Sequence, residues 1–206
     1  MTDTMVRRHI HMVLAAAALA IASTPAAAQF SDSYNFLKAV RDADGEKATK
    51  ALNGNGATII NTRDYQTGET ALAITIKRRD MNWSNFLLSK GANPNVRDGQ
   101  GNTPLHAAAL LGFNEGAELL LGRGAQVNIA NNSGETPLII AVQQRNVALV
   151  RLLLANGANP KLADRIAGKT ARDYASDDPR SAAVLKVIDE SKVEVKPKPK
   201  MSGPGL

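Results

Sequence analysis

A 33-residue recurrence restricts this chain to an architecture that repeats one small unit. Gly68, Gly101 and Gly134 are 33 residues apart, as are the Gly-Ala pairs beginning at Gly91, Gly124 and Gly157, and Thr70, Thr103 and Thr136 keep the same step. The clearest unit runs from Asp98 to Ala130. Thr103 suits a helix N-cap because its hydroxyl accepts from a free amide of the first turn, and Pro104 at the next position loses no helix hydrogen bond. Gly112 breaks that helix, Leu119-Leu120-Leu121 supplies the apolar face of a second, and Gly124 suits the left-handed conformation that closes it. Each unit reads turn, helix, turn, helix, loop. So small a unit cannot bury its apolar face alone, and its neighbours must stack on it.

The run Thr103-Pro104-Leu105-His106-Ala107-Ala108, set in this period, resembles the ankyrin repeat. Thr136-Pro137-Leu138-Ile139-Ile140-Ala141 keeps all of the motif but the histidine. The flanking units are weaker: Thr70 to Thr75 keeps Thr and Leu, and Thr170 to Ala175 keeps Thr and the last Ala. Terminal repeats, with one side in solvent, are expected to deviate in this way. The resemblance implies an all-α solenoid of about five helix-turn-helix units with β-turn fingers. Its expected divisions are a degenerate N-terminal capping repeat at 29–64, repeats at 65–97, 98–130 and 131–163, and a C-terminal capping repeat at 164–191. The segment 192–206, with Lys196-Pro197-Lys198-Pro199-Lys200, cannot build a core and is expected to be disordered.

In the first unit, Phe36, Leu37 and Val40 give one helix a face, and Gly45-Glu46-Lys47-Ala48 starts a second that is expected to end at Leu52. Asn53-Gly54-Asn55-Gly56 then reads as a turn and Ile59-Ile60-Asn61 as a strand-like approach to the next finger. Asp64 to Gly68 and Asp164 to Gly168 are one residue longer than Asp98 to Gly101, so the second and fifth fingers are expected to have longer tips.

The N-terminus combines Arg7-Arg8, an apolar run from Met12 to Ala22 and Ala26-Ala27-Ala28, the pattern of a secretory signal peptide at 1–28, with cleavage expected after Ala28. The run is short of the roughly 20 residues that span a bilayer, so no stable membrane insertion is expected after cleavage. His9-Ile10-His11 after the arginine pair favours the general secretory route over the twin-arginine one. The expected location is a bacterial periplasm or beyond it.

The net charge of +6 is concentrated at the ends: residues 1–28 carry +1, the segment from Lys192 carries +3, and +2 remains for 29–191. A folded surface without basic excess argues against nucleic-acid binding. There is no cysteine, and His106 is the one histidine beyond the signal peptide. Nucleophile–base pairs and the usual metal sites are therefore hard to assemble, and no catalytic residue, metal or cofactor is assigned. In the resembled family His106 braces the turn between repeats. Trp83, the sole tryptophan, is either a binding hot spot or a ring filling the space left by Gly116 of the next repeat, with the second reading favoured.

Resemblance to ankyrin proteins implies a non-enzymatic protein-interaction module, expected as a monomer, that takes another protein on the concave surface made by the finger tips and first helices. Carried over by repeat position, the partner-binding residues are Tyr65, Gln66, Glu69, Lys77 and Arg78 in the second unit. Arg97, Gln100, Asn102, Leu110 and Leu111 follow in the third. The fourth supplies Asn132, Glu135, Gln143 and Gln144, and the fifth Arg165 and Lys169. Lys77-Arg78-Arg79 with Arg97 is expected to form a basic rim that suits an acidic partner. Leu110 and Leu111 either anchor that partner or pack against a neighbouring repeat. The alternative function is structural, with the lysine-proline tail binding anionic cell wall or lipid and the repeats acting as a spacer.

Overall fold

A computed structural model describes residues 25–191. Its helices, in order, are α1 (Pro25–Arg41), α2 (Gly45–Ile59), α3 (Ala71–Lys77), α4 (Met81–Ser89), α5 (Pro104–Leu110) and α6 (Asn114–Gly122). They continue with α7 (Pro137–Gln143), α8 (Val147–Ala155), α9 (Ala171–Asp177), a 3-10 turn at Pro179–Ser181 and α10 (Ala182–Glu190). Among the described residues there is no strand, only an isolated antiparallel bridge between Ala163 and Thr170. The expected signal peptide falls outside the described residues except for its last four positions, which form the first turn of α1. The tail from Lys192 also falls outside them.

Each first helix begins where the threonine spacing places it. Thr70, Thr103, Thr136 and Thr170 all precede a seven-residue helix in extended backbone, and the hydroxyls of Thr70 and Thr136 accept the amides of Ala73 and Ile139 at 3.3 Å. The second helices have their own caps: Asp80 accepts from the Trp83 amide and Asn146 from the Leu149 amide, both at 3.0 Å. Each such cap is worth about 1 kcal/mol. Gly112, at φ +59°, turns the chain between α5 and α6, and in the second and fourth units Arg79 and Arg145 hold the same left-handed conformation.

First helices pack in the order α1, α3, α5, α7, α9, with α4, α6, α8 and α10 in a layer behind, so each unit packs chiefly on its neighbours. Leu72, Leu105 and Leu138 recur at one register and are fully buried, joined by Leu87, Leu120 and Leu153 of the second helices. The result is one continuous core along the solenoid.

Two local expectations fail. Helix α2 does not stop at Leu52 but crosses Asn53-Gly54-Asn55-Gly56 to Ile59, so the expected turn is helical, and Ile60-Asn61 form a turn in place of the expected strand-like segment. Ala48, Leu52 and Ile59 are buried at helical spacing, and that packing overrides the poor helix propensity of Asn and Gly. The Trp83 ring, in turn, does not fill space at Gly116. It lies against Gly45 of the first unit, where a Cβ would stand 3.2 Å from the ring, while the room at Gly116 is taken by Phe113 of the same unit.

Candidate functional site: the concave face

The fingers are built on one recurring side chain. A carboxylate or amide oxygen at Asp64, Asp98, Asn131 and Asp164 accepts two amides of its own tip. Asp98 takes Gln100 and Asn102 at 2.9 and 2.8 Å, and Asn131 takes Ser133 and Glu135 at 3.0 Å each. Asp64 binds the Thr67 and Gln66 amides at 2.8 and 2.9 Å and pairs with Arg41 at 2.8 Å; the Thr67 amide above all holds its carboxyl down to about 2. The Ala167 amide similarly lowers Asp164. Adjacent fingers are tied by their backbones: Gly99 donates to Thr67 at 2.9 Å, Asn132 to Gln100 at 3.0 Å and Arg165 to Ser133 at 2.8 Å.

His106 joins the third unit to the fourth. Its Nδ1 accepts from the Thr103 amide at 3.1 Å, so the ring proton sits on Nε2, which donates to the Glu135 carbonyl at 3.1 Å. Burial pushes the imidazole down to about 4, and the ring stays neutral. Its role is to brace the stack.

Behind the fingers, the asparagines Asn61, Asn95 and Asn128 form a second ladder that the threonine-proline motif does not mark. Each accepts an amide of the next unit, from Asn93, Gln126 and Asn159, at 2.7 to 2.8 Å. The 33-residue step from Asn95 to Asn128 is the sequence signal for it.

On this frame the candidate residues form rows. Glu69, Asn102, Glu135 and Lys169 stand at the finger bases, and Lys77, Leu110, Gln143 and Asp177 end the first helices. Rungs connect them: Lys77 pairs with Glu69 at 2.5 Å, Gln143 donates to Glu135 at 3.2 Å and Lys169 pairs with Asp177 at 2.9 Å. The rung of the third unit, Asn102 and Leu110, has no such bond; Asn102 turns to Gln100 at 3.2 Å and Leu110 is 60% exposed. Leu111 beside it is 37% exposed, so neither leucine is buried against a neighbouring repeat. Gln144, next in that row, is exposed. At the tips, Tyr65 is 79% exposed and Gln66 donates to its hydroxyl at 2.7 Å. Ile166, on the other longer finger, is 82% exposed.

The expected basic rim is already engaged within the chain. Besides the Lys77 pair, Arg78 donates to the Val40 carbonyl at 2.7 Å and to Asp80 at 2.9 Å. Arg79 donates to the Leu111 carbonyl and lies 5.6 Å from the Phe113 ring centre. Arg97 spans Gly101 at 3.2 Å and the Ala130 carbonyl at 3.0 Å, pinning one finger to the next. Asn132 likewise donates to Gly99 at 3.3 Å. Among the described residues no three His, Cys, Asp or Glu side chains are grouped to hold a metal. A cleft of about 610 Å³ between α1 and α2 is lined by alternating charges, of which Lys38–Asp42 and Lys47–Asp44 are ion pairs at 2.6 and 2.7 Å.

The sequence profile described as Ankyrin repeats (3 copies) matches residues 36–131 and 86–164, together more than half of the chain. This protein belongs to the ankyrin-repeat family. An ankyrin repeat protein of fowlpox virus (strain NVSL) is 34% identical over 86 residues, which make up 37% of this chain and 25% of the viral one. The ANK repeat-containing protein nipk-1 of Caenorhabditis elegans is 32% identical over 147 residues, 64% of this chain and 24% of the nematode protein. The matched stretches span about a quarter of either relative. Ankyrin repeats are protein-interaction modules.

Proposed function

We propose that this protein is an exported, non-catalytic adaptor that binds another protein on its concave face. The supporting observation is the rung of the third unit, where Leu110 and Leu111 stay in solvent at the middle of a surface whose other rungs are closed by polar pairs. An exposed apolar pair framed by satisfied polar groups has the makeup of an interface centre, since desolvating it costs nothing that must be repaid by new hydrogen bonds. Tyr65 and Ile166 extend contact to the two longer fingers, with Gln66, Gln100, Asn132 and Arg165 between them. Glu69, Asn102, Glu135 and Lys169 form the base row, and Lys77, Arg78, Gln143 and Gln144 edge the helices. Arg97 and Asn132 support the surface by holding fingers together.

Export rests on the pattern of Arg7-Arg8, the apolar run and Ala26-Ala27-Ala28. Cleavage after Ala28 would remove the first turn of α1 and leave its buried residues, Phe36, Leu37 and Val40, in place. The mass of the protein recovered from the periplasm or medium of an expressing bacterium tests this: loss of residues 1–28 is expected, and an intact N-terminus overturns it. Crosslinking followed by mass spectrometry tests the adaptor reading, with Leu110→Glu/Leu111→Glu as the control. A partner crosslinked to the parent and lost from the variant is expected; equal crosslinking of both sinks the concave-face assignment.

A further inference from the structure

The second and fourth units place a glutamate at the same position and treat it differently. Glu69 has its counter-cation on the same rung, Lys77 at 2.5 Å. At Glu135 the residue in the lysine's place is Gln143, whose amide donates to Oε1 at 3.2 Å, while Asn131 donates to Oε2 at 3.1 Å. Two neutral donors fix the direction of the carboxylate without cancelling its charge. No cation among the described residues forms an ion pair with it, since Lys169 on the next rung is held by Asp177 at 2.9 Å. The Glu135 backbone is also anchored, its carbonyl accepting from His106 and its amide donating to Asn131. One rung away stands Leu110, 60% exposed. A preoriented carboxylate without an ion-pair partner thus lies beside an apolar surface in the middle of the face, while Lys77, Arg78, Arg79, Arg97 and Lys169 are held by internal partners.

Building on the concave-face reading, we infer that the bound partner segment carries a lysine or arginine that pairs with Glu135, next to an apolar side chain seated on Leu110 and Leu111. Neighbouring first helices pack about 8–10 Å apart. An extended segment advances about 3.3 Å per residue, so the cation and the apolar residue should be about three positions apart. Charge at this site then selects the partner, and an acidic segment is rejected by Glu135.

The test selects random 12-residue peptides displayed on phage against the purified protein, then measures the enriched peptides by fluorescence anisotropy. Enriched sequences should place Lys or Arg about three residues from Leu, Ile, Met or Phe. Glu135→Gln should weaken them by about five- to tenfold, the effect of losing one partly desolvated ion pair. Gln143→Lys, which supplies an internal cation as Lys77 does for Glu69, should weaken them comparably while leaving Glu135 intact. Glu135→Lys should lose the basic peptides and bind versions with Glu in place of the cation. If peptides lost on Leu110→Glu/Leu111→Glu are indifferent to all three changes, the ion pair is overturned and the concave face stands. If no peptide enriches, or the leucine variant binds them equally, the concave-face reading falls and takes this inference with it.

Discussion

The Nε2 of His106 holds the backbone carbonyl of Glu135 at 3.1 Å, so one side chain of the third repeat fixes the finger base of the fourth. The ring is neutral because burial lowers its pKa to about 4 from the ordinary 6.5. The folded pKa is therefore the depressed one, and its stabilisation is complete above pH 6.5 and lost as pH falls from there toward 4. Between pH 7.5 and 5 the loss should be about 2 kcal/mol, since each pH unit below 6.5 removes about 1.36 kcal/mol. Urea titrations of the parent and His106→Gln at several pH values check this. The parent should lose its advantage over the variant across that window; parallel pH profiles would exclude His106 as the cause.

Gly101 and Gly124 share a left-handed backbone, φ +81° and +85°, but differ in what surrounds them. A Cβ at Gly101 would stand 2.8 Å from the Asn132 amide and 2.7 Å from the Arg97 guanidinium, whereas at Gly124 it would meet nothing within 4 Å. Gly124→Ala should cost about 1 kcal/mol, the left-handed penalty alone. Gly101→Ala should cost about 2 kcal/mol or more, because the Asn132 amide it crowds also makes the finger-to-finger bond to Gln100. Equal destabilisation in thermal melts would mean that the fingers adjust without cost.

What the sequence can reveal follows from how local each cause is. Thr103 and Pro104 act on the turn they begin, so the starts of α5 and α7 are legible, and the 33-residue step carries the same registration to α3 and α9. Helix α2 departs from expectation because Asn53-Gly54-Asn55-Gly56 favours a turn locally, and only the burial of Ile59 against other helices pulls the helix through. The Trp83 contact falls on a different neighbour for a similar reason: Gly45 and Gly116 both lack a side chain, and only the three-dimensional register shows that Trp83 meets Gly45 while Phe113 occupies the room at Gly116. At the candidate site, exposure of Leu110 and internal pairing of Arg78, Arg79 and Arg97 depend on contacts up to 38 residues away in sequence. The basic rim expected from Lys77-Arg78-Arg79 and Arg97 is thus spent inside the fold, and on the rung of the fourth unit Glu135 is left without an ion pair.

Trp83 is half-buried between the first and second units, its ring meeting Phe86 edge-on at 5.1 Å. As the sole tryptophan, it reports on that junction. Terminal repeats have one stabilising neighbour instead of two, and α2 carries two Asn-Gly pairs. In urea, the tryptophan fluorescence transition should come at lower denaturant than the loss of helical circular dichroism. Coincident midpoints would mean that the first unit unfolds with the rest of the stack.

Leu105 and Leu110 lie on one helix, five residues apart, and separate stability from recognition. Leu105 is fully buried in the core shared with α3 and α7, so Leu105→Ala should cost about 2 to 5 kcal/mol. Leu110 projects into solvent at the end of α5, and Leu110→Ala should change stability by less than about 0.5 kcal/mol. Paired denaturation curves give both values, and affinity for a peptide selected on the parent supplies the second axis. The expected result is a stable Leu110 variant with weakened binding. A large stability loss at Leu110 would show that its methyl groups support the stack, and the exposed leucine could no longer be assigned to a partner; a loss under about 0.5 kcal/mol at Leu105 would remove it from the core.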